Sequence, residues 1–235
     1  MKFISRKDLG WPPSAAPLKT RKTRGIKIHY EGTHSPVRDH SYCKGYWTGI
    51  RNSHLANKAE GYSDVAYSMA VCRHGYVLEG RGAGRRTGAN GNQTLNADHD
   101  AIVVLYGTND TTVSLEVVQG LKEAIKYLRS HGSGNEIKGH RDGYPTLCPG
   151  DPLYAFVKSG KLEPNSKDDD EVTPADIAKI ADAVVDRLLS ADVFDAPKDA
   201  ADYSADPKSA KHYWTGRSVF SDLVNKVRSI DKKLK

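Results

Sequence analysis

Three residues of this sequence have the types and spacing to hold a metal ion and to do chemistry on it. His29 stands near the end of the run Gly25-Ile26-Lys27-Ile28-His29-Tyr30. His140 and Cys148 are eight residues apart in Gly139-His140-Arg141-Asp142-Gly143-Tyr144-Pro145-Thr146-Leu147-Cys148-Pro149-Gly150. Imidazole nitrogen and thiolate sulfur are ready ligands for zinc, and a catalytic zinc keeps three protein ligands with a fourth position open for water. The glycines and prolines between His140 and Cys148 force a loop that can turn both side chains onto one ion. The chain has nine histidines, and a lone histidine is often structural, so spacing by itself leaves both readings open. A structural zinc site would need four protein ligands, and no second cysteine or histidine sits near Cys148 to complete one.

The elements that must position these residues can be read from periodicity. Residues 1–24 are basic and proline-containing, an extended N-terminal segment. Gly25 to Tyr30 alternates as a strand does and is closed by Glu31-Gly32-Thr33. Residues 37–58 follow an irregular helical pattern, with Tyr42, Tyr46, Trp47, Ile50, His54 and Leu55 near one face. Val65 to Val71 and Tyr76 to Leu78 flank His74-Gly75 and read as a hairpin. Ala101 to Tyr106 is a continuous apolar run, the pattern of a strand buried on both faces. Ser114 caps a helix carrying Val118, Leu121, Ile125 and Leu128 that ends near His131-Gly132. This alternation predicts an α/β fold, a mixed central β-sheet flanked by helices, over residues 1–158. A linker composition follows in residues 159–172, including Asp168-Asp169-Asp170-Glu171. Residues 173–235 then read as a small C-terminal helical region. Its apolar stripes, Ile177 to Leu189 and Phe220 to Leu234, flank a polar stretch at 192–210.

Composition narrows the function classes. The chain has 235 residues, 38% hydrophobic and 27% charged. No window reaches the roughly 18 apolar residues of a membrane span, so no membrane insertion is expected. The start turns charged at once and has no apolar stretch of signal-peptide length. Synthesis in the cytoplasm is therefore expected, with another component needed for release. Residues 1–160 carry 22 Lys/Arg against 14 Asp/Glu, a net +8, and the remainder carries 13 against 15, a net −2. A basic front domain suits an anionic polymer such as cell wall or nucleic acid. No recognition helix, aromatic platform or zinc-finger spacing supports nucleic acid as the partner. Three cysteines make no disulfide framework, and Cys43 and Cys72 read as buried free thiols. His40 and His74, like His34, His99, His131 and His212, have no motif support.

Several segments, in order, resemble the type-2 N-acetylmuramoyl-L-alanine amidase family, which shares its fold with the peptidoglycan recognition proteins. They are Ile4 to Trp11, Ile26 to Tyr30, Gly61 to Ser68, Glu79 to Gly82 with Thr87 to Gly91, and Gly139 to Asp142 with Thr146 to Gly150. The likeness covers roughly residues 3–157, and its style is that of phage endolysins. It implies hydrolysis of the amide between N-acetylmuramic acid and L-alanine of bacterial peptidoglycan, with zinc as cofactor and His29, His140 and Cys148 as its ligands. It implies Tyr67 as the residue that orients water or stabilises the oxyanion. Thr146 falls where the family has lysine or threonine, which leaves the oxyanion helper open. Asn90 and Ser68 depart from the residues many relatives carry there.

With peptidoglycan as the partner, further residues become candidates for substrate binding. Trp47 and His54 could line the glycan groove or belong to the core. Arg81, with Arg85 and Arg86, could meet stem-peptide carboxylates or form a solvated basic surface. Asn90 is counted with them. The alternative function is a non-catalytic peptidoglycan-binding protein of the same fold, although relatives that only bind typically lose the cysteine. The C-terminal helices would serve wall targeting or homo-oligomer formation.

Overall fold

The computed structural model describes residues 1–164 and, beyond them, residues 182, 192–195, 198, 204–206, 208–209 and 212–215. The chain divides into two compact units, Met1–Asp169 and Asp170–Lys235. Among the described residues no helix is long and apolar enough to cross a membrane.

The first unit is built on a mixed six-stranded sheet in the order β1-β4-β3-β5-β2-β6. The strands are β1 (Phe3–Ile4), β2 (Gly25–His29), β3 (Met69–Val71), β4 (Val77–Glu79), β5 (His99–Val104) and β6 (Glu136–Gly139). Only the β3–β4 hairpin is antiparallel. The helices are α1 (Cys43–Ala56), α2 (Gln93–Asp98), α3 (Leu115–Ser130) and α4 (Asp151–Ser159). A short 3-10 turn, His40–Tyr42, leads into α1.

Alternation along the strands divides the core into two layers. Ile26, Ile28, Ile102 and Val104 face Val117, Leu121, Ile125 and Leu128 of α3 and Leu153 and Val157 of α4. Val103 and Leu105 face the other way, onto Trp47 of α1 and Trp11 of the N-terminal segment. The continuous apolar run of β5 is buried at every position, as a central strand covered on both faces must be. The Ser114 side chain caps α3, accepting from Val117 N. The first half of the expected hairpin strand, residues 65–68, is a loop, and pairing begins at Met69.

The expected linker at 159–172 starts too early. Leu162 is fully buried in the core, and Glu163 pairs with Arg129 at 2.6 Å, so residues 159–164 belong to the first unit. In the second unit, β7 (Asp192–Asp195), at the start of the expected polar stretch 192–210, pairs antiparallel with β8 (Tyr213–Thr215), which lies just beyond it. The two expected helical stripes, 177–189 and 220–234, lie outside the described residues.

One buried ion cluster holds the loop that precedes β3. Asp64, fully buried, sits 2.8 Å from Arg51 of α1 and 2.9 Å from Arg6 of the N-terminal segment. Its Oδ1 also accepts from Val65 N at 2.8 Å. Removing one partner of such a group strands the other charges away from water. Asp64→Ala is expected to cost about 3 kcal/mol, measured as a lowered midpoint in urea denaturation; a change within error would show that the two guanidinium groups find other partners.

Candidate metal centre

Strand pairing brings the two candidate histidines together. β2 and β6 run parallel with Ile28 opposite Gly139, so His29 and His140 emerge side by side where both strands end. Ligand sites of open α/β sheets form at such carboxyl ends. Burial of Ile26 and Ile28 in the α3 layer puts Lys27 and His29 on the opposite face of β2. The loop after β6 then folds back. Arg141 N donates to Cys148 O at 3.0 Å, and Asp142 accepts from Gly139 N at 2.7 Å and from the Tyr154 hydroxyl at 2.6 Å.

The result is a compact set of three donors. The ligand atoms of His29, His140 and Cys148 all lie within 4.8 Å of one another, and the rings of the two histidines are 4.5 Å apart. Cys148 Sγ is 3.7 Å from His29 Nδ1. Two ligands on a tetrahedral zinc, one sulfur and one nitrogen, would stand about 3.6 Å apart.

Asn90 decides which nitrogen of His29 faces the sulfur. Its amide nitrogen, with two N–H groups, faces three acceptors, Thr87 Oγ1, Leu95 O and His99 O, so Oδ1 is left to accept from His29 Nε2, at 2.9 Å. The proton therefore sits on Nε2 and the Nδ1 lone pair is free to bind a cation. The backbone of Asn90 also accepts a hydrogen bond from His140, whose Nε2 is buried without a hydrogen-bond partner. An orphaned imidazole nitrogen beside a sulfur and a second imidazole is the arrangement a metal ion would satisfy, and the donor set fits zinc.

Protonation favours the same occupant. Burial, then the neighbouring His140, holds His29 well below its usual pKa. Burial and the cation of Lys27 push His140 down to about 4. Both rings are thus neutral at pH 7, the ligand form. Burial pushes the Cys148 thiol up to about 11, partly countered by Tyr30 N, which donates to the sulfur at 3.4 Å. A cation would displace that proton. Lys27, only 1% exposed, spans β2 to the ligand loop by donating to the carbonyls of Asp142 and His140.

The three donors open onto a groove of ≈ 400 Å³ whose walls include Tyr67, Thr146, Glu31 and Leu147. Tyr67 meets His29 edge-on at 5.4 Å between ring centroids, and its hydroxyl is pushed up by burial. Thr146 Oγ1 accepts from Cys148 N at 3.2 Å, which leaves its own proton free to donate. Burial also raises the Glu31 carboxyl, which accepts from the Tyr46 hydroxyl. A neighbouring cleft of ≈ 320 Å³ shares Tyr30 and Leu147 as walls.

The four expected substrate-binding residues do not line this groove, and the reason is depth. Trp47 is fully buried and donates to Glu79 O. Arg81, 5% exposed, donates to the carbonyls of Val65 and Arg86. Asn90 is fully buried beneath the histidines. His54 is half-buried behind Tyr67, and its Nδ1 accepts from Ala66 N at 3.1 Å. Trp47, His54 and Arg81 instead support the loop that carries Tyr67. Glu31 and Leu147, which do reach the groove, carry no functional signal in the sequence: the first reads as a strand terminator and the second as one apolar residue in a loop.

Known proteins resemble the chain at both levels. It is 34% identical over 114 residues to peptidoglycan recognition protein 1 of Rattus norvegicus, covering 43% of this chain and 57% of that protein. It is 26% identical over 121 residues to the endolysin of Enterobacteria phage T3, covering 48% and 78% respectively. The chain spans between 57% and 62% of the length of the recognition proteins first matched. No family model matches. Among solved structures, Drosophila PGRP-LB superposes with a TM-score of 0.60 at 21% identity, over 68% of this chain and 95% of that one.

Because Asn90 sets the His29 tautomer, Asn90→Leu is expected to weaken zinc binding by roughly 10- to 100-fold. Competition with a chromophoric chelator measures this, and thermal denaturation of the metal-free protein separates it from any loss of fold. Unchanged affinity would mean that His29 is oriented by something else. The chain carries the fold of the peptidoglycan recognition proteins, and its homologues include those proteins and a phage endolysin.

Proposed function

We propose that this chain is a zinc-dependent amidase that hydrolyses the bond between N-acetylmuramic acid and the L-alanine of peptidoglycan, in the manner of a phage endolysin. The observation that carries the proposal is the donor set itself: two neutral imidazoles and one cysteine, oriented by Asn90 and Tyr30, on the floor of an open groove. Three protein ligands rather than four leave room for water and substrate.

When bound, a zinc ion supplies Lewis acidity and brings the pKa of a water molecule toward neutrality. The side chains supply the rest. Asn90 holds His29, and Lys27 holds the loop of His140 and Cys148, so the donors need little rearrangement. Tyr67, kept protonated by burial, donates a hydrogen bond from its phenolic O–H toward the developing oxyanion. Thr146, also on the groove wall, offers a second, weaker donor. Glu31, raised by burial toward the working range, can take a proton from the attacking water and hand it to the leaving alanine amine. The exposed Leu147 (78%) and Tyr30 present apolar surface along the groove for sugar or stem peptide.

Incubation of the full chain with purified peptidoglycan tests this reading. New alanine amino groups without new reducing sugar ends are expected, lost with chelator, recovered with zinc, and absent in Cys148→Ser. Binding to the wall without amine release would instead place the chain with non-catalytic recognition proteins. Tyr67→Phe is expected to lower kcat by roughly 10²-fold while zinc content stays unchanged; full activity would remove Tyr67 from the mechanism.

A further inference from the structure

Four residues that play no part in the groove converge between the 3-10 turn before α1 and the β3–β4 hairpin. The donor atoms of His40, Cys43, Cys72 and His74 all lie within 4.8 Å of one another. Cys43 Sγ is 3.5 Å from His74 Nδ1, and Cys72 Sγ is 3.9 Å from Nδ1 of His40 and from Nδ1 of His74. These separations bracket the value of about 3.6 Å that sulfur and nitrogen adopt on a tetrahedral zinc. Both imidazoles turn the same nitrogen toward the sulfurs. Both cysteines are buried and neither is in a disulfide. A small pocket of ≈ 20 Å³ adjoins the cluster, with Cys43, Cys72 and His74 among its walls, about the room of one water and too little for an organic molecule.

Local geometry explains how two distant pairs become one cluster. His40 and Cys43 are three residues apart on consecutive helical turns, which puts them on one side. Cys72 and His74 flank the tip of the hairpin. There Gly75, at φ +72°, donates its N–H to Cys72 O at 2.9 Å and folds the chain back. The His40 ring stacks on Tyr76 with centroids 3.5 Å apart, which fixes the direction of its donor.

We infer that His40, Cys43, Cys72 and His74 form a second, structural zinc site that fastens the start of α1 to the β3–β4 hairpin. Four protein ligands close the coordination sphere, so this site holds chain to chain and leaves no position for substrate. It shares no ligand with the groove, and it stands whether or not the groove is catalytic.

Metal counting on the full-length protein tests it. The chain, expressed with zinc, is expected to carry two zinc ions, and Cys148→Ser is expected to retain at least the one at this site. In Cys148→Ser the remaining thiols, Cys43 and Cys72, should resist alkylation until chelator is added. Cobalt in that variant should give the intense near-ultraviolet band of thiolate coordination. Cys43→Ser is expected to lose one zinc; because it can fail to fold, the Cys148→Ser measurements decide. A Cys148→Ser protein with freely alkylated thiols and no cobalt–thiolate band would overturn the proposal. So would an intact mass lower by two hydrogens that is restored by reductant and indifferent to chelator, which would mark a Cys43–Cys72 disulfide.

Discussion

The register of β2 is the constraint on which the candidate metal centre depends. Ile26 and Ile28 must face α3 to complete the core, and this alone sends Lys27 and His29 to the other side of the sheet. A slip of one residue would bury the imidazole in the apolar layer and put isoleucines where the buried Lys27 and His29 now meet the ligand loop, so core packing and site geometry are one choice. The flanking strands hold the register from both edges, with Ile28 opposite Ile102 on β5 and Gly139 on β6. The close approach is built into the sequence: a Cβ on Gly25 would run into the backbone of Glu136.

Electrostatics then finish what the register begins. Burial keeps both imidazoles unprotonated, and the charge of Lys27 beneath them adds to the effect. The same lysine stays buried because two loop carbonyls accept its protons. The cation that favours neutral ligands thus also holds the loop that supplies two of them. Asn90 works similarly, directing the two N–H groups of its amide nitrogen at three surrounding acceptors so that its oxygen is the atom turned to His29.

Much of this was legible in the sequence, and the gaps have physical causes. β2, β5 and α3 announce themselves because each combines a clear apolar pattern with a boundary signal: Glu31-Gly32 after β2, Gly107 after β5, and the Ser114 cap that starts α3. β1 and β6 span only two and four residues, too short for a period, and exist because a neighbour offers its edge. The residues of the centre were readable as chemical types in a forced loop. Depth was not: Trp47, His54, Arg81 and Asn90 lie near the centre but one layer below the groove, and side-chain type does not distinguish a residue that touches a ligand from one that supports it. Cys43 and Cys72 illustrate the same limit. Each stands near a histidine in sequence, yet only the contact between α1 and the hairpin brings the two pairs together.

The buried lysine has a consequence for anyone wishing to move this centre into another protein. The transferable unit is not His29, His140 and Cys148. It must include Lys27, because without that charge the loop carbonyls of His140 and Asp142 lose the partner that aims the ligands. It must also include Asn90, because a host lacking it would let the His29 ring choose its own tautomer. The smallest graft is a pair of parallel strands with a polar floor, and a scaffold that offers only three ligand positions would lack the contacts that hold these side chains in place.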